Sequence, residues 1–191
     1  GVLEFSIKCQ KKGIQPIIGL DVDYLSILKN NSRLTILSKN EIGFKNLNIL
    51  STKINTENDF QLSLKNIKDF SDGNILILGG LYSYFEDLNI NENNLKLILD
   101  EINTLKKMFN SDIYFELDEN LDNKLLNELS QKCNINCFLS SFSFYKQDKD
   151  FDAIKILHCL KNGEYLQNTS FKLKNNYSLT QSNKNTDKLS Q

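Results

Sequence analysis

Short apolar runs alternate with helix-periodic segments along most of this chain, and that alternation constrains its fold more than any other feature. Val2, Leu3, Phe5, Ile7 and Cys9 mark a helix over Val2–Lys12, which Gly13 ends. Pro16 then forbids helix, so Gly13-Ile14-Gln15-Pro16-Ile17-Ile18-Gly19-Leu20-Asp21-Val22, running on to Tyr24, reads as a buried parallel strand. Lys29-Asn30-Asn31-Ser32 is a turn, Arg33–Ser38 a second strand, and Ile42, Phe44, Leu47, Ile49, Leu50 and Ile54 a helix. Thr56–Leu64 is expected as an exposed loop and Leu64–Phe70 as a short helix or turn. Asn74–Leu78 then forms a strand closed by Gly79-Gly80. Helices over Asn94–Met108, Leu121–Lys132 and Asp150–Leu160 alternate with strands over Asp112–Leu117 and Asn136–Leu139. Repeated αβ units of this kind imply a mostly parallel sheet covered by helices.

A length of 191 residues suits one domain, and the last ten residues, polar and without periodicity, are expected to be disordered. The chain enters mid-helix on Gly1 with no cap or leader, which reads as a piece of something longer. Heavy use of Asn, Lys and Ile reflects an AT-rich genome more than a function. The net charge is −1 with basic and acidic residues interspersed, so there is no electrostatic footprint for nucleic acid and any direct DNA contact is expected to be weak. Cys9, Cys133, Cys137 and Cys159, without a signal peptide, read as reduced thiols of a cytoplasmic protein. No apolar run approaches the roughly 20 residues that cross a bilayer, so no membrane association is expected.

Asp21 is a site candidate, because catalytic groups of α/β sheets gather at the C-terminal ends of strands. Asp23 is expected on the opposite side of the same strand, which leaves one of the two facing any site; two solvated acids are the plainer reading. His158 is the sole histidine, and on a helix among Ile156, Leu157 and Leu160 it reads as structural. Asp112, Glu116, Asp118 and Glu119 form an acidic cluster without histidines, a poor metal set. Gly79-Gly80 reads as a tight turn, since no Lys-Ser/Thr follows to hold a phosphate.

Several segments together resemble the PHP (polymerase and histidinol phosphatase) domain of bacterial replicative DNA polymerase III alpha subunits. Gly1–Phe5 followed by Gly13-Ile14-Gln15-Pro16-Ile17-Ile18-Gly19 is similar to the family's helix and Gly-Ile-x-Pro-Ile-Ile-Gly strand. Leu34–Leu47 resembles its strand, turn and Gly-aromatic-x-Asn-Leu helix. Ile77-Leu78-Gly79-Gly80, Ile113-Tyr114-Phe115-Glu116-Leu117 and the helix from Asp150 to Gly163 follow in the family's order.

The resemblance implies an α/β fold, a distorted TIM-like PHP barrel, N-terminally truncated: its opening His-x-His strand would precede Gly1. It implies a partial PHP domain over residues 1–181, with 182–191 a polar tail leading towards a polymerase module. Complete members hold a metal cluster with His, Asp, Glu and Cys ligands, which activates water for phosphoester hydrolysis. By that resemblance Asp21 keeps the position of an acidic ligand, and Arg33 stands near that of a ligand histidine. Leu81 takes the place of a Cys ligand, while Phe142 and Phe144 take those of an Asp and a His. Neither phenyl ring coordinates a metal, and with Leu81 they are expected to fill the lost cavity. The expectation is an inactive segment without catalytic residue, intact metal site or cofactor, magnesium belonging to the polymerase module. The implied partners are other polymerase III holoenzyme subunits, especially the proofreading exonuclease, with DNA reached through the parent protein. The alternatives are a metal-dependent PHP phosphoesterase or intrinsic 3'-5' exonuclease, and a free-standing degenerate barrel.

Overall fold

A computed structural model describes residues 1–29, 31–80, 83, 85, 92–140, 142–171 and 177–179. In chain order these form α1 (Val2–Lys11), β1 (Gly19–Leu25), β2 (Asn31–Ser38), α2 (Glu41–Thr56), β3 (Leu62–Ser63), β4 (Asn74–Gly79), α3 (Glu92–Met108), β5 (Ile113–Asp118), α4 (Lys124–Cys133), β6 (Cys137–Ser140) and α5 (Phe151–Asn162). A 3-10 turn at Ile67–Phe70 occupies the segment expected as a short helix or turn. The expected polar tail and Leu81 lie outside the described residues.

The strands lie in the order β3-β1-β2-β4-β5-β6. β2 is antiparallel to both β1 and β4, whereas β1 runs parallel to β3 and β4 parallel to β5. The Phe115 N–H donates to the Asn136 carbonyl (3.0 Å) and the Glu119 N–H to that of Ser140 (3.4 Å), at one sequence offset, so β6 also runs parallel to β5. The sheet is therefore mixed, with β2 as the reversed strand among those described. Its cause is local, because residues 26–30 are too few to carry the crossover of about a dozen residues that a parallel pair needs. The described strands form an open α/β sheet with β3 and β6 at its edges; they do not close into a barrel.

The opening apolar run is also shorter as a strand than its composition implies. β1 begins at Gly19, and Ile14 and Ile17 are 56% and 68% exposed, so the stretch before it is neither strand nor core. The ladder starts where the Ser38 N–H reaches the Ile18 carbonyl (2.8 Å), two residues past Pro16, which has no N–H to donate.

Contacts divide the chain into two units, residues 1–117 with 121–138, and residues 118–120 with 139–191. In the first, Leu34, Ile36, Leu50, Leu62, Ile67, Leu76, Ile98 and Phe115 build one buried core. α2 is positioned by its N-cap, where the Asn40 side chain accepts from the Gly43 N–H (3.0 Å). Gly43 has no room for a side chain: a Cβ there would overlap the Gly73 carbonyl and the Asn74 side chain. α3 is tied to the β1–β2 turn by buried Glu101, whose Oε1 accepts from the Tyr24 hydroxyl (2.6 Å) and the Ile27 N–H (2.9 Å). In the second unit, Phe151 on α5 packs against Tyr145 and Phe171 at 5.9 and 5.8 Å between ring centres. Tyr145 also exchanges backbone contacts with the 177–179 segment, its carbonyl accepting from the Leu179 N–H (2.9 Å).

Candidate functional site

Asp21 is the third of seven residues of β1, in mid-strand and not at its end. The β1–β2 register sets it directly opposite Thr35 and sets Asp23 opposite Arg33. Its Oδ1 accepts from the Thr35 hydroxyl at 2.6 Å and its Oδ2 from Arg33 Nη2 at 2.8 Å, so both oxygens are engaged by β2. The ion pair is open to water, with the Arg33 and Asp21 side chains 46% and 45% exposed. Asp23 shares this face, contrary to the expectation of opposite sides: alternate residues of a strand point the same way, and Val22 and Tyr24 take the buried face. A solvent-open trough of about 770 Å³ runs beside the ladder, lined by Asp21, Asp23, Arg33, Asn55, Asp59 and Phe60 among others.

The other sequence candidates do not join this face. His158 lies on α5, where its Nε2 is 2.9 Å from the Asn162 side-chain nitrogen, 3.2 Å from the Ser170 hydroxyl and 3.7 Å from the Glu164 carboxylate. Glu164 accepts from the Ser170 hydroxyl (2.6 Å) and N–H (2.8 Å) and from the Thr169 hydroxyl, contacts that hold its carboxyl below the usual carboxylate range. The cluster pins residues 164–171 to α5. The hydroxyl proton of Ser170 goes to Glu164 and not to the imidazole, which is not the arrangement that activates a serine.

Phe142 and Phe144 stack with ring centres 6.1 Å apart, and Phe144 meets Tyr177 edge-on at 5.8 Å. Phe144 is nevertheless 38% exposed, so its ring is a surface group more than the filling of a closed cavity. Asp112 precedes β5 and pairs with Lys39 at 2.8 Å, whereas Asp118 ends β5 with its carboxyl buried. Among the described residues, no three His, Cys, Asp or Glu side chains are grouped to hold a metal ion. Gly79 ends β4 at φ +92° and Gly80 is a bend at φ +70°, its N–H donating across to the Glu116 carbonyl of β5 (3.0 Å); the residues that would complete the expected tight turn lie outside the described ones. All four cysteines are free thiols, Cys9, Cys133 and Cys159 being buried. No described helix is long and apolar enough to cross a membrane.

The described residues form a mixed α/β sheet flanked by helices, and the chain matches the PHP domain family over residues 1–120. The chain belongs to the PHP domain family. It is similar to the DNA polymerase III subunit alpha of Buchnera aphidicola, with 30% identity over all of this chain and 17% of the relative. The DNA polymerase III alpha subunits of Borreliella burgdorferi and Helicobacter pylori are each 27% identical over 85% and 87% of the chain, and over 16% of their own lengths. The chain therefore spans about a sixth of the length of the curated relatives it matches.

The metal cluster that the family implies can be tested against these donors. Asp21 already holds Arg33 and Thr35, the aromatic rings at 142 and 144 have no lone pair to offer, and no three His, Cys, Asp or Glu side chains are grouped among the described residues. The described residues do not fit a polynuclear metal centre. Thr35, the second partner of Asp21, is the site residue that sequence reading passed over. The signal that finds it is the short 26–30 link, which makes β2 antiparallel and places it across from Asp21.

Proposed function

We propose that the chain is the PHP segment of a bacterial replicative DNA polymerase III alpha subunit, and that it serves the parent enzyme as a scaffold. The observation that carries this is similarity to DNA polymerase III alpha subunits across the whole chain, together with the PHP match. The parent's activity on this reading is DNA-directed DNA polymerisation, a nucleotidyl transfer whose carboxylates and magnesium ions belong to a separate polymerase module. The open sheet is on the same reading an arc of a distorted TIM-like barrel. The metal site is degenerate: Asp21 is a remnant ligand position, and Leu81, Phe142 and Phe144 stand where ligands would be. What supports this is the engagement of Asp21 by Arg33 and Thr35.

The segment's own task is to brace the polymerase module and to dock the proofreading exonuclease subunit in the cytoplasm, with weak or no direct contact to DNA. A net charge of −1 suits protein–protein contact better than phosphate binding. The test is co-purification of the exonuclease subunit with the full-length polypeptide and with a version in which residues 1–181 are exchanged for an unrelated domain. Loss of the exonuclease with retained primer extension is the expected result, and unchanged capture overturns the docking role. The rival, a metal-dependent phosphoesterase or intrinsic 3'-5' exonuclease, requires manganese- or zinc-dependent turnover that chelation abolishes. Its weakness is that the chain's single imidazole is spent on bracing residues 164–171.

A further inference from the structure

We propose that Arg33 is the resident cation of Asp21, its guanidinium supplying the positive charge that a metal ion would otherwise bring to this ladder. The inference rests on the reading of Asp21 as a remnant ligand position and deepens it. Asp21 and Asp23 lie on one exposed face of β1, and Asp59 lines the same trough, so the carboxylates here repel one another unless a cation intervenes. Arg33 sits on the facing strand, diagonal to Asp21, with Nη2 at 2.8 Å from Oδ2. A guanidinium is charged at every relevant pH and needs no ligand set of fixed geometry, so one side chain replaces an ion that requires several donors. The Thr35 hydroxyl takes the other oxygen, so each carboxylate oxygen is engaged from within the hairpin. Because the trough is open to solvent, a divalent ion would reach Asp21 readily once the guanidinium were cut back.

Hydrogen exchange read by mass spectrometry on the full-length polypeptide tests this, with and without millimolar Mn²⁺. In Arg33→Ala, exchange over residues 19–25 and 31–38 is expected to accelerate by about two- to fivefold, the range for an exposed ion pair. Mn²⁺ should restore protection in Arg33→Ala but not in the Asp21→Asn/Arg33→Ala double variant, and Arg33→Lys should keep most of it without the ion. If Arg33→Ala exchanges like the unsubstituted protein, or Mn²⁺ restores nothing, the role of Arg33 falls while the remnant-site reading stands. If the unsubstituted protein itself gains Asp21-dependent protection from Mn²⁺, the remnant-site reading falls.

Discussion

Asp118 closes β5 with its carboxyl out of water, and burial raises its pKa above the usual carboxylate value. Donation from the Asn120 N–H (2.8 Å) and from the Tyr177 hydroxyl opposes the shift without cancelling it. A carboxyl whose folded pKa is raised binds its proton more tightly folded than unfolded. Its contribution is therefore most favourable at low pH, and is lost as pH rises from the ordinary carboxylate range through the raised value. Exchange protection of residues 142–150 is accordingly expected to weaken over that window, and Asp118→Asn to flatten the profile. An identical slope in Asp118→Asn would assign the pH dependence elsewhere. Asp21 shows what the sequence carried at this scale: its carboxylate was legible as a candidate, but its partners were not. Which residue faces another across a sheet depends on register, and a one-residue slip changes every partner.

The helices were legible almost to their ends, because periodicity and end signals are local properties of the chain. α2 shows why, with Asn40 capping its first turn and Gly43 lying where the helix presses on the Gly73 carbonyl. Gly43→Ala is expected to destabilise by about 1–3 kcal/mol, since the backbone it would strike cannot rotate away as a side chain could. Asn40→Ala, which removes only the cap, should cost about 1 kcal/mol. Urea unfolding of the two variants side by side checks the order, and a milder effect for Gly43→Ala would mean that α2 shifts to accommodate the methyl. Strand direction was the harder part. Glycine-bracketed apolar residues look alike in a parallel strand and an irregular lead-in, and the direction of β2 is decided by the length of the 26–30 link instead of by its composition.

At the scale of the whole chain, α1 is the element least accounted for by its own contacts. Only Cys9 is buried on it, while Val2, Leu3, Phe5 and Ile7 are 50%, 74%, 51% and 43% exposed. Among the described residues, β1 carries a strand partner on its outer edge only at Tyr24 and Leu25, where β3 adds two residues. Apolar side chains and unpaired strand edges both favour association. The isolated chain is expected to self-associate with rising concentration, and Leu3→Lys with Phe5→Lys to shift it towards monomer. Light scattering after size exclusion reads both, and an unsubstituted chain that stays monomeric would count against the reading. Family membership was legible at this scale from five short segments in order, whereas the extent of the sheet was not, since β3 is two residues long and carries no periodicity of its own.

The Glu101 carboxylate described on α3 couples the two sides of this architecture. One oxygen holds both a side chain of β1 and the backbone of the turn that follows it. α3 is thereby latched to the hairpin from beneath, and cannot slide along its axis without releasing two hydrogen bonds from a buried carboxylate. The position of Asp21 on the outer face is thus indexed by a helix on the inner one.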